Sequence, residues 1–102
     1  MENRAFARVS SFLDAKLFYD DYSSDVLILN LSQNGIYFTA DTYLSSGLDI
    51  EISIPLETKE LKVPFKIVRM SKTGMPYSRF GAELLSPSQE YIKFVQGRIA
   101  WM

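Results

Sequence analysis

Val26-Leu27-Ile28-Leu29-Asn30-Leu31-Ser32-Gln33-Asn34-Gly35-Ile36-Tyr37-Phe38-Thr39-Ala40 is the segment from which the fold can be read. Val26–Leu31 is a strand pattern, apolar enough to be buried on both faces. Asn34-Gly35 follows, and both residues tolerate positive φ, which suits a tight type I′ hairpin turn. Ile36–Ala40 then returns as the next strand. The segment therefore predicts an antiparallel hairpin with an apolar interior.

The flanking sequence repeats the pattern. Upstream, Leu13, Ala15 and Leu17 alternate with Asp14 and Lys16 in a strand over 12–19, and 20–24 is a turn. Downstream, Ser45-Ser46-Gly47 turns the chain into Leu48–Pro55, where Leu48, Ile50, Ile52 and Ile54 alternate with Asp49, Glu51 and Ser53. Leu61–Met70 places Leu61, Val63, Phe65 and Ile67 on one face and Lys62, Pro64, Lys66 and Val68 on the other. Gly74-Met75-Pro76 is a further turn, and Tyr77–Leu85 is the last strand. The period then changes. Ser86 reads as a helix N-cap, Pro87 as the first helical residue and Gln89 as the end of a capping box. Ile92, Val95, Ile99 and Met102 share one helical face, widened by Tyr91, Phe94 and Trp101. Gly97 costs this helix about 1 kcal/mol relative to Ala, so docking must stabilise it.

Six short strands separated by turns predict a mainly β fold, a small antiparallel barrel, since closure removes exposed edges. The helix would cover an open end or side. At 102 residues the chain holds one domain, and 47% apolar residues supply a core without staples. The expected division is an arm over 1–8, a barrel over 9–85 and a helix over 86–102.

Composition narrows the chemistry. Cysteine and histidine are absent, which removes disulfides, thiolate metal sites, the cysteine nucleophile and the commonest general base. Lack of cysteine fits a reducing cytoplasm. No apolar run approaches the roughly 20 residues that span a bilayer, and Met1-Glu2-Asn3-Arg4 has no signal-peptide character. No membrane insertion is expected. The net charge of −1 argues against nucleic-acid binding driven by global basicity. The basic residues Lys59, Lys62, Lys66, Arg69 and Lys72 read as a polar strand face, and Asp20, Asp21 and Asp25 as a solvated turn without the calcium-loop spacing. With no catalytic constellation, a binding module is expected rather than an enzyme.

Two clusters suit a ligand. Arg4 and Arg8 lie four residues apart, about 13–14 Å in extended chain, so two guanidinium forks can reach round one ligand. Arginine binds phosphate bidentately and pairs with the O6 and N7 of guanine. The second cluster is Asn30, Ser32 and Gly35. Asn30 and Ser32 are two apart on a strand, so their side chains share a face while Leu31 points to the other. Gly35 leaves room for close approach.

The two clusters together resemble the PilZ domain family. Arg4 and Arg8 match its R-x-x-x-R arm motif, and Asn30, Ser32 and Gly35 match [D/N]-x-S-x-x-G. Gly47 before Ile50–Ile54, the strand ending Ile67-Val68-Arg69, and Phe80-Gly81-Ala82-Glu83-Leu84 before Ser86 also fall where the family has similar features. The resemblance implies a six-stranded antiparallel PilZ-type β-barrel with a C-terminal α-helix, bacterial origin, and binding of cyclic di-GMP, a second messenger controlling motility and biofilm formation. Arg4 and Arg8 would clasp phosphates and guanines, Asn30 and Ser32 would contact a guanine, and Gly35 would shape the surface. Ligand binding is expected to order the arm, and the signal to pass to an unidentified protein partner through the arm or the helix. The alternative is a nucleotide-independent interaction module of the same fold. The helix pattern fits docking on its own barrel or on a second copy, which leaves a homodimer open.

Overall fold

The structure is a computed structural model, and its described residues are 9–74, 77–86 and 88–99. The arm over 1–8, with Arg4 and Arg8, lies outside them, as do Pro87, Trp101 and Met102. Six strands form: β1 (Val9–Tyr19), β2 (Tyr22–Ser32), β3 (Gly35–Ala40), β4 (Asp49–Pro55), β5 (Glu60–Gly74) and β6 (Tyr77–Leu84). The helix α1 (Gln89–Ile99) follows. Every neighbouring pair is antiparallel, in the order β1-β2-β3-β6-β5-β4, and β4 pairs with β1 to close the barrel. The expected mainly β, six-stranded barrel with a C-terminal helix is what forms.

The alternating apolar residues build its interior. Ile50, Ile52 and Ile54 from β4, and Leu61, Val63, Phe65 and Ile67 from β5, are all buried. Phe38 and Phe80 stack across β3 and β6 with centroids 5.4 Å apart. At roughly 25 cal/mol per Å2 of apolar surface removed from water, such side chains dominate the stability.

Two strands break their own period, and the break matters for function. Ile28 pairs with Phe38, but Asn30 pairs with Tyr37, so Leu29 is one residue too many on β2. Likewise Ile67 pairs with Ala82 and Arg69 with Gly81, so Val68 is the extra residue on β5. These are β-bulges, and each reverses the inside–outside parity of its strand. Hence Val26 and Ile28 point inward, and so does Leu31. The β2 segment expected to be buried on both faces is instead half-buried at Leu27 and Leu29. A third irregularity, in β1, accompanies Phe12 at φ 60°, and that residue is 69% exposed.

The helix begins two residues later than its sequence suggests. The Tyr91 N–H donates to Ser88 Oγ at 3.2 Å, and the Ile92 N–H donates to the Ser88 carbonyl at 2.9 Å. Ser88 is therefore the N-cap, not Ser86, and residue 91 takes the position that Gln89 was expected to fill. The buried stripe also shifts. Tyr91 and Val95 are fully buried, Phe94 packs against the core and Ile92 is half-buried.

Gly97 is exposed, and a Cβ placed there meets nothing within 4 Å. Gly97→Ala should stabilise the protein by about 0.5–1 kcal/mol through helix propensity alone, read as a higher urea midpoint with an unchanged slope.

Candidate functional site

The bulges assemble a cleft on the outside of the barrel. Two rows of paired residues cross β2, β3, β6 and β5 in turn. One row runs Asn30–Tyr37–Gly81–Arg69 and the other Ser32–Gly35–Glu83–Lys66. Strands lie about 4.8 Å apart, so each row is about 14 Å long. Without the extra Leu29 and Val68, Asn30 and Arg69 would follow Ile28 and Ile67 into the core. With them, both point outward, Asn30 at one end of its row and Arg69 at the other.

Glycines hollow the middle of the rows. A Cβ on Gly81 would sit 3.6 Å from Arg69 Cβ and 3.8 Å from Tyr37 Cδ1, in the space between the two side chains. Gly35 is more tightly constrained, since a Cβ there would fall 2.5 Å from the Ala82 carbonyl oxygen. The result is a cleft of about 430 Å3, whose lining includes Asn30, Ser32, Gly35, Tyr37, Arg69, Gly81 and Glu83.

The turn that ends the cleft differs from the expected one. Ser32 pairs with Gly35, so the turn residues are Gln33 and Asn34 rather than Asn34 and Gly35. Neither has positive φ, so the turn is not type I′. Gly35 is required by its approach to Ala82, not by the turn conformation. Ser32 Oγ donates to Asn34 Oδ1 at 2.7 Å, and the Leu84 N–H donates to the Asn34 carbonyl at 2.8 Å.

Beneath the turn lies Tyr91. Its hydroxyl donates to the carbonyls of Ser32 at 2.8 Å and Gly35 at 2.9 Å, bridging the two residues that bracket the turn. Its ring meets Phe65 edge-on at 5.5 Å. Burial pushes the Tyr91 phenol well above its ordinary value, because a phenolate here would be desolvated against two carbonyl oxygens.

Charge in the cleft is sparse. Arg69 and Glu83 are exposed, and their side chains make no ion pair or hydrogen bond among the described residues. Lys66, opposite Glu83 in register, is instead 3.0 Å from Asp49 Oδ1. Among the described residues no group of three or more acidic side chains could hold a metal ion.

A family model, the PilZ domain, matches residues 2–100. This chain belongs to the PilZ domain family. Its fold agrees with solved structures at low identity. The inhibitor of motility MotI/DgrA of Bacillus subtilis superposes with TM-score 0.79 at 18% identity, over 99% of this chain and 51% of that one. The PilZ domain of Escherichia coli YcgR, solved with c-di-GMP, gives 0.76 at 17%, over 98% of this chain and 90% of that one. PlzA of Borreliella burgdorferi, in complex with c-di-GMP, gives 0.69 at 17%, over 92% of this chain and 40% of that one. This PilZ chain thus spans about half of some of these proteins. Among curated proteins none matches by sequence.

The structure places Asn30, Ser32 and Gly35, the residues that resemble the family's second motif, together at one side of the cleft. Arg4 and Arg8, which resemble the family's first motif, lie outside the described residues. Sequence reasoning missed Tyr37, Arg69, Gly81 and Glu83 as cleft residues. In the sequence Arg69 reads as one of the basic residues of a strand face; the bulge at Val68 is what turns it outward, beside Lys66 on the same face and into the cleft.

Tyr91→Phe should cost about 1–3 kcal/mol, since it strips a partner from two buried carbonyls. A urea denaturation checks this. The wild type holds its phenol proton when folded and loses it unfolded above about pH 10, so stability present below that pH falls as pH rises, by about 1.4 kcal/mol per pH unit. Tyr91→Phe should lack this component, measured as the difference between the two stability–pH curves.

Proposed function

We propose that this PilZ domain is a bacterial cyclic di-GMP receptor that works in the cytoplasm and relays the nucleotide's presence by altered protein contacts. The observation that carries the reading is the outward pairing of Asn30 and Ser32 with a glycine-floored cleft that also presents Arg69. The dinucleotide carries two phosphodiesters and two guanines. A cleft for it needs hydrogen-bonding groups for base edges, a flat floor for close approach, and cations for phosphate.

The cleft residues divide that work. Asn30 offers both an acceptor and donors to a guanine edge. Ser32 Oγ, already donating to Asn34, keeps acceptor capacity for a guanine N–H. Gly35 and Gly81 let a planar base approach the sheet. Arg69 supplies one cation, too little for two phosphates. Arg4 and Arg8 supply the rest, clasping the ligand from the arm that precedes β1 in the sequence; β1 itself pairs Ser10 with Asn30. Ordering that arm costs conformational entropy, offset by charge-assisted phosphate bonds.

That c-di-GMP is present in the solved YcgR and PlzA structures supports the reading. The response passes to an unidentified protein partner through the ordered arm. The protein is an adaptor and performs no chemistry on the nucleotide.

Isothermal titration calorimetry with cyclic di-GMP, with GTP and cyclic GMP as controls, tests this. Selective binding by the wild type and a loss of tenfold or more in Arg8→Ala, with circular dichroism unchanged, is the expected outcome. Flat heats for the wild type would favour the nucleotide-independent interaction module.

A further inference from the structure

An anion-binding cleft has no electrostatic use for a carboxylate, yet Glu83 stands in this one. It is the single acidic side chain among the described residues that line the cleft. Among the described residues no cation pairs with it. Lys66, its neighbour in register, is committed to Asp49, and Arg69 makes no ion pair with it among the described residues. Two negative charges a few ångströms apart repel by about 1 kcal/mol even in water. A carboxylate kept beside a dianionic ligand therefore needs a ligand group that only it satisfies.

Guanine has such a group. Its N1–H and N2–H2 donors lie side by side, and a carboxylate presents two acceptors side by side. Adenine presents an acceptor at N1 where guanine presents a donor. Hypoxanthine keeps N1–H and lacks the N2 amino group. The row Ser32–Gly35–Glu83 places the carboxylate two strands from the Ser32 hydroxyl, with no side chain between them. A purine edge laid across Gly35 meets Ser32 on one side and Glu83 on the other.

We propose that Glu83 is a specificity-determining residue that accepts from N1–H and N2–H2 of one guanine, so that the cleft selects cyclic di-GMP over cyclic di-IMP and cyclic di-AMP. The proposal rests on the cleft being the cyclic di-GMP site. It predicts the sign of an effect that plain electrostatics predicts oppositely.

The test is calorimetric titration of the wild type, Glu83→Ala and Glu83→Gln with all three dinucleotides. Melting curves check each variant's fold; the exposed side chain makes both substitutions tolerable. The wild type should bind cyclic di-GMP on the order of tenfold tighter than cyclic di-IMP. Glu83→Ala should weaken cyclic di-GMP on the order of tenfold and leave cyclic di-IMP nearly unchanged, erasing the preference. Glu83→Gln, which keeps one acceptor and turns a donor toward the base, should fall between. If Glu83→Ala binds both dinucleotides more tightly, or keeps the full preference, the carboxylate is only a surface charge and the proposal is wrong. A wild type that binds none of the three sinks the receptor reading and this inference with it. A wild type that binds with an unaltered preference in the variants sinks this inference alone.

Discussion

The cleft exists because two strands each carry one residue too many. In a closed barrel every side chain points in or out by strict alternation, and the interior accepts only apolar groups. Asn30 and Arg69 fall on the inward phase of their own strands, counted from Ile28 and Ile67. The unpaired Leu29 and Val68 shift that phase by one, at the two outer strands of the same four-strand face. The bulges cost some ladder bonding, and the closed barrel around them absorbs that cost. Asn30, Ser32 and Arg69 reach the cleft through this phase shift, whereas Tyr37, Glu83 and the two glycines face it by the ordinary alternation of β3 and β6.

The turn of the cleft is held from the other side. Tyr91 joins the helix to the Ser32 and Gly35 carbonyls, so the residues that line the cleft and the residue that anchors α1 share one buried hydrogen-bond network. This explains where the helix starts. Ser88 becomes the cap because residue 91 must reach the turn, and capping at Ser88 satisfies the Tyr91 N–H. The helix is therefore an integral part of the site's foundation, although none of its residues lines the cleft.

Much of this was legible in the sequence. Alternation gave the inner faces of β4 and β5 residue by residue, because those stretches are regular where they pair with each other. The motif Asn30, Ser32 and Gly35 was legible as a unit. Periodicity could not reveal a bulge, since an extra Leu or Val in an apolar run looks like more strand. That is why β2 read as buried on both faces. Two serines near Pro87 both suit an N-cap, and only the tertiary contact of Tyr91 chooses between them. Gly81 and Glu83 were legible only as part of the Phe80–Leu84 segment that resembles the family; they become cleft residues through pairing with Tyr37 and Gly35 across the sheet.

The cleft's charge balance points the same way as its shape. It offers one arginine, one carboxylate and neutral polar groups, which suits base edges better than phosphates. The most direct test of the site's location is a 1H–15N spectrum of the labelled chain titrated with cyclic di-GMP. The largest shifts should fall on Asn30, Gly35, Tyr37, Arg69, Gly81 and Glu83, the outer face of β2-β3-β6-β5. Shifts confined to the face that carries Lys62, or no shifts at all at saturating nucleotide, would contradict the account.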